Sequence, residues 1–150
     1  MGSLMIGSSS PDIASTATTR TWLLRANALY LLVGSLGGLW MDISGVFFTR
    51  GPEVAILNDA PGAGIGFIEA HGLALIIAIL LWRAAPLRSW HLTAVAVHIL
   101  LGTANLVFWQ FFIVADSLMA GYVTTSLHWL FAALQLLAAV SVSPAVLRRT

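Results

Sequence analysis

The stretch Ile65 to Trp90, IGFIEAHGLALIIAILLWRAAPLRSW, decides the fold. From Ile65 to Trp82 it carries a single charged side chain, Glu69, and as a helix rising 1.5 Å per residue it is long enough to cross a hydrocarbon core of about 30 Å. Arg83, Pro86, Arg88 and Trp90 follow at once. A span that ends in tryptophan and arginine and then turns at a proline reads as a transmembrane helix meeting the cytoplasmic interface.

Three more segments match it, Asn27 to Phe48, Leu92 to Val114 and Val123 to Val142, and the five prolines at 11, 52, 61, 86 and 144 all lie outside the four. Helices in lipid must satisfy their backbone groups internally, so this placement agrees with the hydropathy. The expected fold is all-α, an integral membrane antiparallel four-helix bundle. A cytoplasmic tail is expected over residues 1–25, the bundle over 26–143 and a short second tail over 144–150. The serine- and threonine-rich start, Met1 to Thr19, reads as disordered. Ile6 stands where a myristoylation signal needs Ser or Thr.

Composition points the same way. With 59% hydrophobic and 9% charged residues and a mean hydropathy of +0.91, the chain is far from the roughly 25% charged make-up of a soluble domain. A net charge of +1 gives no sign of a nucleic-acid partner, and the expected surroundings are the lipid bilayer, with a homo-oligomer or larger membrane complex as partner. The absence of cysteine excludes thiolate metal sites and cysteine nucleophiles.

Arginine sets the orientation. Arg20, Arg25, Arg83, Arg88, Arg148 and Arg149 fall on one side of the four spans and only Arg50 on the other, while Asp42, Glu53, Asp59, Glu69 and Asp116 lie on or toward that other side. Both termini are therefore expected in the cytoplasm, the protein being multi-pass in the plasma or inner membrane, with Trp22, Trp82 and Trp90 in the inner aromatic belt. The first span is too long and too late for a signal peptide and has no convincing cleavage site. The turn-rich Thr49 to Gly64 segment is placed to fold over the outer mouth. No internal repeat stands out.

Ionisable groups in hydrocarbon cost at least about 2.5 kcal/mol each, so those inside the spans are the candidates for function. Counted from the outer span ends, Asp42 and His71 lie about 9 Å deep, His128 about 7.5 Å and Glu69 about 6 Å, with His98 about 12 Å deeper. Glu53 and Asp116 read as solvated loop charges. His71 shares a face with Ala74, Ala78 and Trp82, whereas Glu69 points elsewhere. Thr124, His128 and Gln135 form one stripe and His91, His98 and Asn105 another, expected to face each other. Gly34 and Gly38 lead toward Asp42 in a small-xxx-small pattern.

Three functions fit these residues. The first is a non-enzymatic accessory or interaction subunit, with the histidines fixing helix packing. The second is a redox bundle in which His71 and His128 ligate haem b or another metal, with Asp42 orienting a ring. The third is a proton-coupled transporter or ion pathway through Asp42, Glu69, His98 and Asn105. No nucleophile, base and orienting group recur at a recognisable spacing, so hydrolase chemistry has no support.

Overall fold

A computed structural model of the chain describes residues 11–141. They form six helices, α1 (Pro11–Phe48), α2 (Val54–Asp59), α3 (Ala63–Arg83), α4 (Arg88–Val107), α5 (Trp109–Val114) and α6 (Leu118–Val140), with no strand among the described residues. Four of them, α1, α3, α4 and α6, are long and apolar enough to cross a membrane. The protein is an all-α bundle of membrane-spanning type.

Burial is inverted relative to a soluble protein. Between 22% and 33% of each span's most apolar window is buried inside the bundle, so most apolar side chains, Leu29, Val33, Leu36, Leu73, Ile76 and Leu100 among them, face outward. Inside lie alanines, a few leucines and a set of polar groups: Asn27, Ser35, Asp42, His91, His98, Thr125, His128 and Gln135. A lipid surround makes that arrangement favourable, and small residues let the helices approach closely.

Two hairpins build the bundle. In the first, α1 packs along α3, with Arg25 donating to the Leu81 carbonyl (3.2 Å) near one end and Asp42 meeting His71 toward the other. In the second, α4 packs along α6. A core of Leu24, Ala28, Leu31, Ala78, Leu81 and Ala94 joins them near the arginine end, where Arg25 also lies over the Trp82 ring.

Each hairpin turns through a six-residue helix, α2 or α5. Each such helix packs a side chain at a glycine in the first turn of the helix that follows it. A Cβ at Gly64 would lie 3.3 Å from a Leu57 methyl, and one at Gly121 would lie 2.7 Å from the Phe112 ring. This likeness exposes a correspondence in the sequence, since Asp59, Ala63, Gly64 and His71 recur at the same spacing as Asp116, Ala120, Gly121 and His128.

Two boundaries differ from the sequence expectation. The tail expected over 1–25, with Met1 to Thr19 disordered, is helical from Pro11 onward; the residues before it, and those of the C-terminal tail, lie outside the described residues. Proline suits a first helical turn because its missing N–H has no partner there, and Thr19 and Thr21 bond back to the carbonyls of Ser15 and Ala17 at 3.1 and 3.0 Å. The expected third span, Leu92 to Val114, is broken at Phe108 (φ −101°, ψ 29°) into α4 and α5. The α5 helix ends at Val114 and the chain then turns at Asp116 in the left-handed region (φ 49°), with the Ser117 N–H returning to the Phe112 carbonyl at 2.8 Å.

Candidate functional site

The two polar stripes of α4 and α6 do face each other, as three rungs. His91 Nδ1 meets Gln135 Oε1 at 2.5 Å, His98 Nδ1 meets His128 Nδ1 at 2.9 Å, and Asn105 Nδ2 donates to Thr124 Oγ1 at 3.2 Å. On α4 the rungs recur every seven residues, so the outermost two are about 21 Å apart along a membrane core of about 30 Å.

Asn27 of α1 ties the first two rungs into one network. Gln135 Nε2 donates to Asn27 Oδ1 (2.9 Å), which leaves the Asn27 amide N–H2 to donate to His98 Nε2 (2.6 Å). His98 Nε2 is then an acceptor, so in the neutral ring Nδ1 carries the proton and donates to His128 Nδ1. At the other end His91 donates through Nδ1 to Gln135, and its Nε2 keeps a lone pair. Every link from His91 through Gln135, Asn27 and His98 to His128 is thus satisfied in one direction with all three imidazoles neutral. The histidine pair is enclosed by aromatic rings: Phe131 stacks on His98 with centroids 5.4 Å apart, and Tyr30 lies edge-on to His128 at 5.5 Å. At the arginine end, His91 Nε2 and the Nε and Nη2 of Arg20 are buried without a hydrogen-bond partner.

A second cluster lies at the opposite end, between α1, α2 and α3. Asp42, fully buried, accepts from His71 Nδ1 through Oδ2 at 2.8 Å. Gly38, four residues before Asp42, makes this bond feasible because the His71 ring occupies the space that a Cβ at position 38 would take. The other oxygen, Asp42 Oδ1, and Glu53 Oε2 are both buried without a partner. Glu53 stands at the N-cap position of α2 yet makes no capping bond, and its Cβ would lie 3.5 Å from a Cβ at Gly45. Burial first, and then the neighbouring Asp42 carboxylate, push the Glu53 carboxyl up to about 7, against the opposing influence of His71.

Several expectations change. His98 is level with His128 instead of about 12 Å deeper, because α4 stops at Val107 and α6 starts at Leu118, which places the two histidines about 14 and 15 Å from their helix ends. The carboxylate that joins Asp42 is Glu53, which reads in the sequence as a solvated loop charge, while Glu69 lies exposed on the outer surface of α3 beside Gly72, Leu73 and Ile76. Asn105 bonds to Thr124, and Asp42 bonds to His71 Nδ1.

Haem or metal ligation by His71 with His128 does not fit the geometry. The two rings belong to separate clusters, His71 bonded to Asp42 and His128 to His98. Among the described residues no three His, Asp or Glu side chains are grouped to hold a metal ion. Comparison with protein-family models, curated proteins and solved structures finds no match to the chain.

Proposed function

We propose that this multi-pass membrane protein is proton-coupled, with proton binding at the buried His98–His128 pair changing how α4 packs against α6. The observation that carries this reading is the Nδ1 to Nδ1 contact of 2.9 Å, which has room for one proton. A second proton in that contact, bound at His128 Nδ1, would set two N–H groups against each other and drive the rings apart. Asn27 and Gln135 favour this over a static proton wire. Side-chain amides are poor proton relays but fix imidazole tautomers, so they hold the pair in its neutral arrangement until a proton breaks it.

The arginine-bearing end is taken as cytoplasmic, which puts His91 and Arg20 on that side and the Asp42 cluster on the other. Proton flux into dye-loaded proteoliposomes under a potassium diffusion potential tests the reading. Flux above that of protein-free vesicles, lowered about tenfold or more by His98→Phe and unchanged by Glu69→Gln, is expected. Flux equal to that of empty vesicles would overturn it.

One observation favours a further role as an interaction subunit. Glu69 is exposed among apolar side chains within a span, where an unpaired charge costs about 2.5 to 3.5 kcal/mol, and a donor from another chain would relieve that cost. Loss of a native-gel oligomer in Glu69→Leu would support it, and an unchanged monomer in parent and variant would count against it.

A further inference from the structure

We infer that Glu53 and Asp42 hold one proton between them, as a carboxylic acid donating to a carboxylate, and that this proton clamps α2 onto α1 at the outer mouth of the bundle. Asp42 is fully buried; its Oδ2 is used by His71, and its Oδ1 has no donor from any described residue. Glu53 Oε2 is in the same condition. Glu53 Oε2 lies 3.8 Å from where a Cβ at Gly45 would stand, within one helical turn of Asp42 on α1; two buried carboxylates brought this near are tolerable only if one carries a hydrogen, and a neutral Glu53 is then the donor that Asp42 Oδ1 lacks.

The surroundings leave this proton without a substitute. The groups facing Glu53 are Asp42 from α1 and His71 from α3; α5, which also touches α2, has no titratable side chain. His71 already spends its Nδ1 proton on the other Asp42 oxygen. Within α2, Asp59 is exposed at the far end, and Arg50 on the preceding connection is exposed too. The rest of the hold on α2 is slight, because Leu57 is the only buried residue of the helix, packed at Gly45 and Gly64. When Glu53 releases its proton to the outer solution, two adjacent carboxylates remain, and a six-residue helix held by one leucine has little to oppose their repulsion. The rise of the Glu53 carboxyl to about 7 puts that release near neutral pH.

Because the chain has no cysteine, one introduced thiol reports without background. The full chain in liposomes would carry Ile56→Cys, half-buried beside the intact Leu57 anchor, or Asn58→Cys at an exposed position, and react with a membrane-impermeant maleimide. The ratio of the two rates cancels the thiol's own pH dependence. It is expected to rise about fivefold or more between about pH 5.5 and about pH 8.5. Adding Glu53→Gln should hold it low and flat, since the glutamine amide donates to Asp42 at every pH, and Glu53→Ala should hold it high and flat. A ratio independent of pH in the parent, or the parent's pH dependence surviving in Glu53→Gln, would overturn the inference.

Infrared difference spectra of the cysteine-free parent supply a readout that does not depend on the Ile56 variant folding. A protonated-carboxyl band present at about pH 5.5, lost toward about pH 8.5 and missing in Glu53→Gln is expected. The same spectra in parent and Glu53→Gln would contradict the shared proton. Neither measurement reads flux, so the clamp stands or falls separately from the histidine pair.

Discussion

His98 Nδ1 lies 2.9 Å from His128 Nδ1, and the His98 Nε2 on the far side of the ring accepts from Asn27 at 2.6 Å. One imidazole therefore links helices α1, α4 and α6 through its two nitrogens. In lipid, where the outward faces gain nothing from association with each other, such buried polar contacts and close small-residue packing hold the bundle together.

Loss of His98 should be felt at both nitrogens. His98→Phe leaves the Asn27 N–H2 without its acceptor and His128 Nδ1 without its donor, each buried, and a destabilisation of about 1 to 3 kcal/mol is expected. Thermal unfolding in detergent would measure it. A double-mutant cycle with His128→Phe should show the two losses to be non-additive, because the second change removes a group already left unpaired.

Glycine substitutions along α1 should separate sharply. Gly38→Ala places a methyl where the His71 ring sits and is expected to displace the ring from Asp42 and destabilise the protein by about 1 to 3 kcal/mol. Gly34→Ala and Gly37→Ala meet nothing within 4 Å and should leave the unfolding temperature unchanged or slightly raised. Equal effects at positions 37 and 38 would contradict the packing of His71.

The Glu53 carboxyl gives stability a defined pH dependence. Its folded value of about 7 lies above the ordinary 4.5, so folding favours the protonated form. The stabilisation is then complete below about 4.5, declines as pH rises toward about 7, and is absent above. Unfolding temperatures measured across this window should fall with rising pH in the parent and flatten in Glu53→Gln.

Much of this architecture is legible in the sequence, for reasons that also mark where legibility stops. Span hydropathy and the clustering of arginine identify four membrane helices, and the seven-residue spacing of His91, His98 and Asn105 marks one face of α4 whatever the helix packs against. The break at Phe108 leaves no such trace, because LVFWQFFIV is apolar except for Gln110 and has neither glycine nor proline. Depths counted from Val114 consequently separate His98 from the partner it touches. Glu53 lies in a connection with no periodicity, so nothing in its surroundings announces Asp42. Asn27, at the very start of the expected first span, resembles an interfacial residue until α6 brings Gln135 to it. The recurrence of Asp, Ala-Gly and His is sparse enough to need the two hairpins beside each other to be recognised.

Nitrogen-15 NMR of the histidine side chains in bilayers bears most directly on proton coupling at the His98–His128 pair. At high pH one Nδ1 should be protonated and the other bare, with a scalar coupling across the hydrogen bond. On acidification through the range that supports flux, both Nδ1 atoms should become protonated, the coupling should vanish, and the α4 and α6 backbone shifts should change in step. Both rings keeping their neutral state and their coupling throughout that range would contradict the proposed function.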